Sequence, residues 1–383
     1  MTDTAPADDV YRQHAYLREH DPVTRAGGGP WRVARYEDVR RVLRSHEEFS
    51  SQVSDRLSGR AGGASLMLFC DPPVHDRLRA LVSRAFTPRR VAEQEARIVA
   101  RCEALVREMA RSERADLVTA LAAPLPVGVI AGMLGVEDGD FAEFKRWSDA
   151  VFKNIGDILL RSPSEAAMAA VGKMDAYFLE QIARLRREPQ PHLLSDLVHV
   201  ETEDGRLSDA ELLMFCRLLL IAGNETTTSL IVGCVRVFHE LPETFERLAR
   251  ARDLIPGFIE ETLRYYSPFR LTIRRARRDV TLAGQTIQSG ELVLPLIASA
   301  NRDESVFERA AEFVIERDPN PHLAFGLGIH SCLGSALARL EGRIAVAALL
   351  EQLERIELDE PNGAQLDAFG APTSVPVRLR AFR

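Results

Sequence analysis

The stretch "HLAFGLGIHSCLGSALARLEGRIAVAALL", residues His322 to Leu350, sets one cysteine, Cys332, between glycines and an apolar helix. Gly326 and Gly328 permit a tight backbone ahead of the thiol, and Gly334 opens a run of good helix formers reaching about Leu353. The thiol therefore falls just before a helix N-terminus, where backbone N–H groups and the helix dipole favour a thiolate. Gly334, Ser335, Ala336 and Ala338 follow it, small enough to let a flat, bulky partner approach the backbone. Four roles are open to such a cysteine: half of a disulfide, a core residue, a nucleophile or a metal ligand.

The rest of the chain narrows the choice. Five cysteines (Cys70, Cys102, Cys216, Cys234, Cys332) are widely spaced, odd in number and form no C-x-x-C. That excludes a disulfide framework, a zinc ribbon and covalent haem attachment, and it fits a reducing compartment. A cysteine nucleophile needs a histidine base and an orienting carboxylate. His330, two residues away, cannot easily swing onto the same sulfur. A single thiolate with no further cysteine or histidine nearby suits an axial iron ligand better than tetrahedral zinc.

Composition excludes several classes. The chain has 383 residues, 46% hydrophobic and 27% charged, enough for a sizeable core. Its first residues are polar and acidic, unlike a signal peptide. The longest apolar stretch, Leu212 to Ala222, is broken by Arg217 and followed by Asn224 and Glu225, too short and too charged to span a bilayer. A cytoplasmic, monomeric protein without membrane contact is expected. Only Lys145, Lys153 and Lys173 are lysine, so arginine supplies 46 of the 49 basic residues. The net charge is nevertheless −7 and no basic stripe carries interleaved aromatics, which argues against nucleic acid.

Periodicity predicts a single mainly α domain with a small β region. Helical patterns run from Ala92 to Ala110 and from Ala166 to Arg187. Short strands are predicted in "WRVARY", after the 1–30 N-terminal segment, in "DVTLAGQTIQSGELVLP" with turns at Ala283-Gly284 and Ser289-Gly290, and in "SVPVRLRAF". The early and late strands are expected to pair in one sheet. One long helix is predicted over 208–239, opened by the capping box Ser208-Asp209-Ala210-Glu211 and about 45 Å in length. Its centre reads "AGNETTT". A charge and several hydroxyls there are costly unless partnered. Either Glu225 faces solvent and the threonines bond back to carbonyls one turn earlier, or the helix opens at Gly223 and presents a carboxylate and a hydroxyl to a cavity.

Phe325, Gly326, Gly328, His330, Cys332 and Gly334 together match the haem-binding signature of the cytochrome P450 family, which the chain resembles. Two further matches lie in the same order as in that family. "AGNETT" is similar to its oxygen-activating helix, and "EETLRYYSP" carries Glu261 and Arg264 at i and i+3 in an E-x-x-R helix over 257–266. The resemblance extends from about Trp31 to the C-terminus. It implies the P450 fold, with haem b buried between the long central helix and the 322–353 cysteine loop and helix.

Residue by residue, the resemblance makes Cys332 the proximal thiolate, pushing electron density onto iron. It makes Glu225 and Thr226 the acid and alcohol that deliver protons through water. His75 and Arg79 in "DPPVHDRLRALV", with Arg274 and His330, are implied as ligands for the propionates; Phe325, Gly334 and Ala222 would line the cofactor. The Glu261–Arg264 pair implies a structural lock near the cysteine face, while Arg275, Arg277 and Arg278 are read as surface. Cys70 is read as a small core hydrophobe. Leu218, Ala222, Phe269, Leu271, Ile273, the Gly-rich 54–69 loop (a mobile lid) and the Phe369–Ser374 turn are the pocket candidates.

The activity implied is a monooxygenase acting on a hydrophobic small molecule, such as a terpenoid, a fatty acid or another secondary metabolite. O2 is the co-substrate, and NAD(P)H electrons arrive through a separate ferredoxin and its reductase, with Arg84, Arg89 and Arg90 in the docking face. A peroxide-driven peroxygenase has no need of Glu225 and Thr226. A haem sensor or carrier requires a closed distal side or a sixth ligand, and no His or Met lies one turn from Glu225.

Overall fold

Capping and turn chemistry set where the elements begin and end. The structure is a computed structural model, and it describes residues 7–53, 66–153, 165–203, 205–360, 364–366 and 370–382. The capping box closes as expected: Glu211 accepts from the Ser208 N–H at 2.8 Å, and Ser208 Oγ accepts from the Glu211 N–H at 3.3 Å. The helix it opens runs Asp209–Glu240. That helix is long and apolar enough to cross a membrane, yet 56% of its apolar window is buried inside the protein. The E-x-x-R helix spans Ile255–Tyr266 and ends at Ser267, whose φ of 34° breaks it. The predicted Ala92–Ala110 helix divides into Pro88–Ala92 and Glu95–Met109. Its start moves back because Thr87 accepts from the Arg90 N–H and Pro88 sits at the first turn. The predicted Ala166–Arg187 helix is Glu165–Leu185.

Cα proximity groups the chain into two units: Met1–Val53, Cys102–Ala122 and Thr226–Arg383 in the first, Ser54–Arg101 and Ala123–Glu225 in the second. The first unit contains the main sheet, in the order Val23–Thr24, Trp31–Val33, Leu292–Pro295, Arg274–Ala276, Phe49–Ser50. Trp31, Val33, Tyr36, Val39, Phe49, Val293 and Phe307 are among the buried residues of the core against it. The central turns fall where Ala283 and Gly284 take φ of 44° and 78°, the double positive φ of a type I′ hairpin. Gly290, at φ 85°, makes the second turn.

One topological expectation is corrected. Trp31–Val33 and Pro376–Ala381 lie in different sheets. Both flanks of the early strand are filled by Val23–Thr24 and Leu292–Pro295; both flanks of the late strand by Leu353–Leu358 and Arg114–Asp116. A strand has only two edges, so the two cannot pair.

The second unit is built from helices, among them Val74–Ala85, Pro124–Leu134, Glu165–Leu185 and Leu193–His199, with one two-stranded ladder among its described residues. The Pro124–Leu134 helix is buried almost throughout and ends at Gly135 with φ 73°.

Candidate active site: the cysteine loop and the long helix

Cys332 is presented by a short glycine-shaped loop in the first unit. Its N–H donates to Phe325 O at 2.8 Å, closing the loop on itself. Gly326 and Gly328 take φ of 67° and 76°, values that side chains disfavour. At Gly328 a Cβ would stand 3.0 Å from Leu43 O, so glycine is needed there twice over. The Ser335–Gln352 helix begins three residues after the thiol, with Gly334 at its N-cap. Of the five cysteines, Cys332 alone is exposed; Cys70, Cys102, Cys216 and Cys234 are buried. Phe325, Leu327, Ile329 and Leu333 around it are apolar but only half-buried, as is His330. The loop is thus an apolar platform with a projecting thiol.

A buried ionic lock sits behind the platform. Arg264 Nε and Nη2 donate to Glu261 Oε2 and Oε1 at 2.8 and 2.7 Å, with both side chains fully buried. Arg264 also donates to the carbonyls of Asn301, Ala310 and Glu312 at 2.8–2.9 Å. Glu261 further accepts from Arg317, Asn320 and the Val314 N–H. Every lone pair and N–H of the pair is answered, the condition under which buried charges are tolerated. Arg317 and Asn320 were not legible as partners, since they lie more than fifty positions away in sequence. Nor was the neighbouring cluster in which Glu260 accepts from Arg339 at 2.7 and 2.8 Å and lies 3.1 Å from His322 Nε2. Burial works against ionising Glu260, but the hydrogen bonds from Arg339 and His322 outweigh it and hold the carboxyl down at about 2. Arg339 in turn stacks 4.3 Å from the Phe325 ring centroid and steadies the platform.

Arg274 is 5% exposed, alternating on its strand with the half-buried Arg275. It donates to Ile273 O at 2.9 Å and Thr272 Oγ1 at 3.3 Å. Arg277 and Arg278 are exposed as expected, while Arg275 is half-buried and ties down the carbonyls of Gln52 and Val53. In the second unit, His75 and Arg79 share the Val74–Ala85 helix. His75 is 2% exposed with Nδ1 2.9 Å from Asp76 Oδ1, and Arg79 is half-buried. Cys70 is buried with Sγ 3.3 Å from Leu66 O, the core role expected of it.

The Asp209–Glu240 helix does not open at Gly223; it is continuous through the whole polar segment. The glycine has another use. A Cβ there would meet Ile130 Cδ1 at 3.0 Å, so its absence admits a neighbouring helix. Thr228 donates to Ala122 O at 3.0 Å. Asn224 and Thr227 are buried, Glu225 and Thr226 half-buried, and Ala222 exposed, on a helix that is otherwise largely enclosed. Among the pocket candidates, Leu218 borders a small cavity with Met67, Leu78, Val82 and Phe215. Phe269 and Leu271 are 40% and 43% exposed, far above what large apolar side chains in a core show, and Ile273 is half-buried. Phe369 and residues 54–65 of the expected lid lie outside the described residues.

Nine residues beyond the thiol, Glu341 is 1% exposed and its Oε2 has no hydrogen-bond partner. Burial alone pushes its carboxyl up to about 8. The folded protein then binds a proton that the unfolded chain releases near pH 4.3, so this group lowers stability as pH rises between those values. Glu341→Gln removes that slope. The variant is expected to match the wild type near pH 4.5 and exceed it increasingly toward pH 8, by up to about 1.4 kcal/mol per pH unit, in urea unfolding at a series of pH values.

These features coincide with a known group of proteins. The cytochrome P450 family model matches residues 249–367. Over 385 residues the chain is 37% identical to "Cytochrome P450 109" of Bacillus spizizenii, covering 98% of this chain and 91% of that protein. It is 39% identical over 374 residues to the mycinamicin IV hydroxylase/epoxidase of Micromonospora griseorubida, covering 93% and 92%. The crystal structure of CYP109E1 from Bacillus megaterium in complex with testosterone superposes with a TM-score of 0.87 at 36% identity, covering 96% and 98%. Fold and site define a haem-thiolate monooxygenase. The chain belongs to the cytochrome P450 family.

The cofactor of that family is haem iron with a thiolate ligand, and the residues present fit it. Among the described residues no group of three or more His, Cys, Asp or Glu side chains is placed to hold a metal ion. A lone thiolate suits an iron whose other donors come from a porphyrin. The half-buried apolar platform, and Gly334, where a Cβ would meet only Cys332 Sγ at 3.9 Å, leave room for such a flat macrocycle.

Proposed function

We propose that this protein, acting as one P450 domain in the cytoplasm, hydroxylates or epoxidises a hydrophobic small molecule with electrons from a separate ferredoxin and reductase. The observation that carries the reading is the exposed thiol of Cys332 on an apolar, glycine-shaped platform, in a chain whose other cysteines are all buried. All five thiols are free, which fits a reducing compartment. The relatives that bind testosterone or carry the name hydroxylase/epoxidase support a bulky, apolar substrate class.

In this reading Cys332 holds the iron, and the bound haem supplies O2 activation and transfer of one oxygen atom to the substrate. His75, Arg79, Arg274 and His330 hold the propionates by charge-assisted hydrogen bonds; the burial of Arg274 and His75 is what such a task requires. Phe325, Gly334 and Ala222 would contact the macrocycle when haem is bound. Glu225 holds a proton at its carboxyl and Thr226 passes it on through its hydroxyl, their half-buried positions giving both a route to water. Leu218, Phe269, Leu271 and Ile273 exclude bulk water from the substrate and orient it by shape.

The direct test is an absorbance titration of the ferric protein with a panel of apolar metabolites. A saturable low- to high-spin shift is expected; a protein without thiolate-type ferrous–CO absorbance would overturn the reading. Thr226→Ala is expected to leave NAD(P)H consumption in place while product per NAD(P)H falls about tenfold or more, since proton delivery contributes at least that much. Unchanged coupling would move proton delivery elsewhere.

Within the proposed docking face the three arginines differ in their partners. Among the described residues, Arg89 and Arg90 are paired with Glu93, and Arg90 also with Asp196, whereas Arg84 donates to a backbone carbonyl, Glu201 O. Arg84→Glu is therefore expected to slow ferredoxin-dependent turnover at low salt more than Arg89→Glu, and the difference should vanish as salt is raised.

A further inference from the structure

A second concentration of chemistry lies on the N-terminal helix, Ala7–His20. His14 is 8% exposed, and its Nδ1 has no hydrogen-bond partner among the described residues. Among the described residues, the charged groups acting on it are Arg18, Arg270, Arg302 and Arg32. Burial first, and then these four guanidinium groups, hold His14 neutral, its pKa down at about 4.

The four differ in what answers them. Arg18 pairs with Glu304 at 2.8 Å and donates to Ser299 O and Oγ. Arg302 stacks 3.7 Å from the Tyr11 ring centroid and 3.6 Å from that of Tyr265, and donates to Tyr265 O, contacts that bring no negative charge beyond a carbonyl. Arg32 and Arg270 are half-buried and have no acceptor within hydrogen-bonding distance among the described residues. Arg32 alternates with the inward-facing Trp31 and Val33. The nearby carboxylate of Glu291 is taken up with Trp31 and Arg25. Arg270 lies against the turn at Gly370, where a Cβ would come 2.6 Å from its Nη1. Among the described residues, Arg18 alone of the four has a carboxylate partner, Glu304. Partly desolvated cations without counter-charge are unfavourable, and the guanidinium fork matches the oxygens of a carboxylate or phosphate.

We propose that Arg32, Arg270 and Arg302, together with His14, form an anion site that receives one carboxylate or phosphate-type group. Two sources share that chemistry: free inorganic phosphate, or the acidic end of an otherwise apolar substrate. The second rests on the monooxygenase reading above. It is favoured by Phe269 and Leu271, the exposed apolar side chains on either side of Arg270 in the segment leading to Arg274.

The test uses the haem-loaded, full-length protein in its diamagnetic ferrous–CO form, with histidine imidazoles followed by NMR. Inorganic phosphate or dodecanoate is added in turn. The expected result is a saturable rise of the His14 pKa by about 1–3 units, the effect of an opposite charge within a few ångströms. The rise should be reduced in Arg32→Gln and in Arg270→Gln, made separately so that one folded variant suffices. A His14 pKa that moves with neither probe overturns the site.

Dodecanol, the uncharged counterpart, separates the sources. If the substrate end is the source, dodecanoate gives the spin-state shift at about tenfold lower concentration than dodecanol, and Arg270→Gln removes that preference. A response to phosphate alone upholds the anion site and overturns its substrate role. Loss of the thiolate-type ferrous–CO absorbance would sink the monooxygenase reading, and the phosphate response would still decide the anion site.

Discussion

Cys332→Ala abolishes the thiolate-type ferrous–CO absorbance and reduces substrate oxidation by more than the ~10–100-fold loss that follows from disturbing only the outer partners of a metal site. No other cysteine can stand in. Cys102 and Cys234 are buried at 0% and 1% exposure, and burial pushes both thiols up to about 12, so they remain protonated at neutral pH. Burial drives Cys216 in the same direction. Cys332 alone is exposed, on a loop whose glycines hold it clear of its own backbone. The measurement is the ferrous–CO difference spectrum of the variant reconstituted with haem. A retained thiolate spectrum would mean that iron is held elsewhere.

Glu261→Ala is expected to destabilise the protein by about 3–5 kcal/mol, because it strands the fully buried Arg264 guanidinium without its counter-charge. Arg317, at 8% exposure, loses the same partner. An exposed pair at the same i, i+3 spacing supplies the control. Glu108 and Arg111 are 68% and 70% exposed, and Glu108→Ala should change stability by less than about 1 kcal/mol. Urea unfolding of the two variants beside the wild type separates them. Equal effects would show that Glu261 acts only as a surface-type pair and that the lock has no structural role.

The comparison of Glu261 with Glu108 shows why part of this site was legible in the sequence and part was not. Both belong to i, i+3 pairs with arginine, and local spacing treats them alike. Their difference lies in burial and in Val314, Arg317 and Asn320, which the chain brings to Glu261 from more than fifty residues away. The arginines of "TIRRARRDV" make the same point. Strand alternation separates Arg274 from Arg275, yet only packing buries Arg274 almost fully while Arg275 binds the backbone of residues 52–53.

What followed from the sequence alone was local: the cysteine loop with its glycines, the capping box at Ser208, the hairpin at Ala283-Gly284 and the E-x-x-R pair. Each depends on backbone preferences or side-chain reach within a few residues, and these are written in neighbouring letters. What needed the folded chain was long-range. Gly223 read as a helix opening, and only the approach of Ile130 shows it to be a packing position in an unbroken helix. The early and late strands looked like partners, and only the occupation of both their edges separates them. Close approach and edge occupancy belong to pairs of segments, and no single segment encodes them.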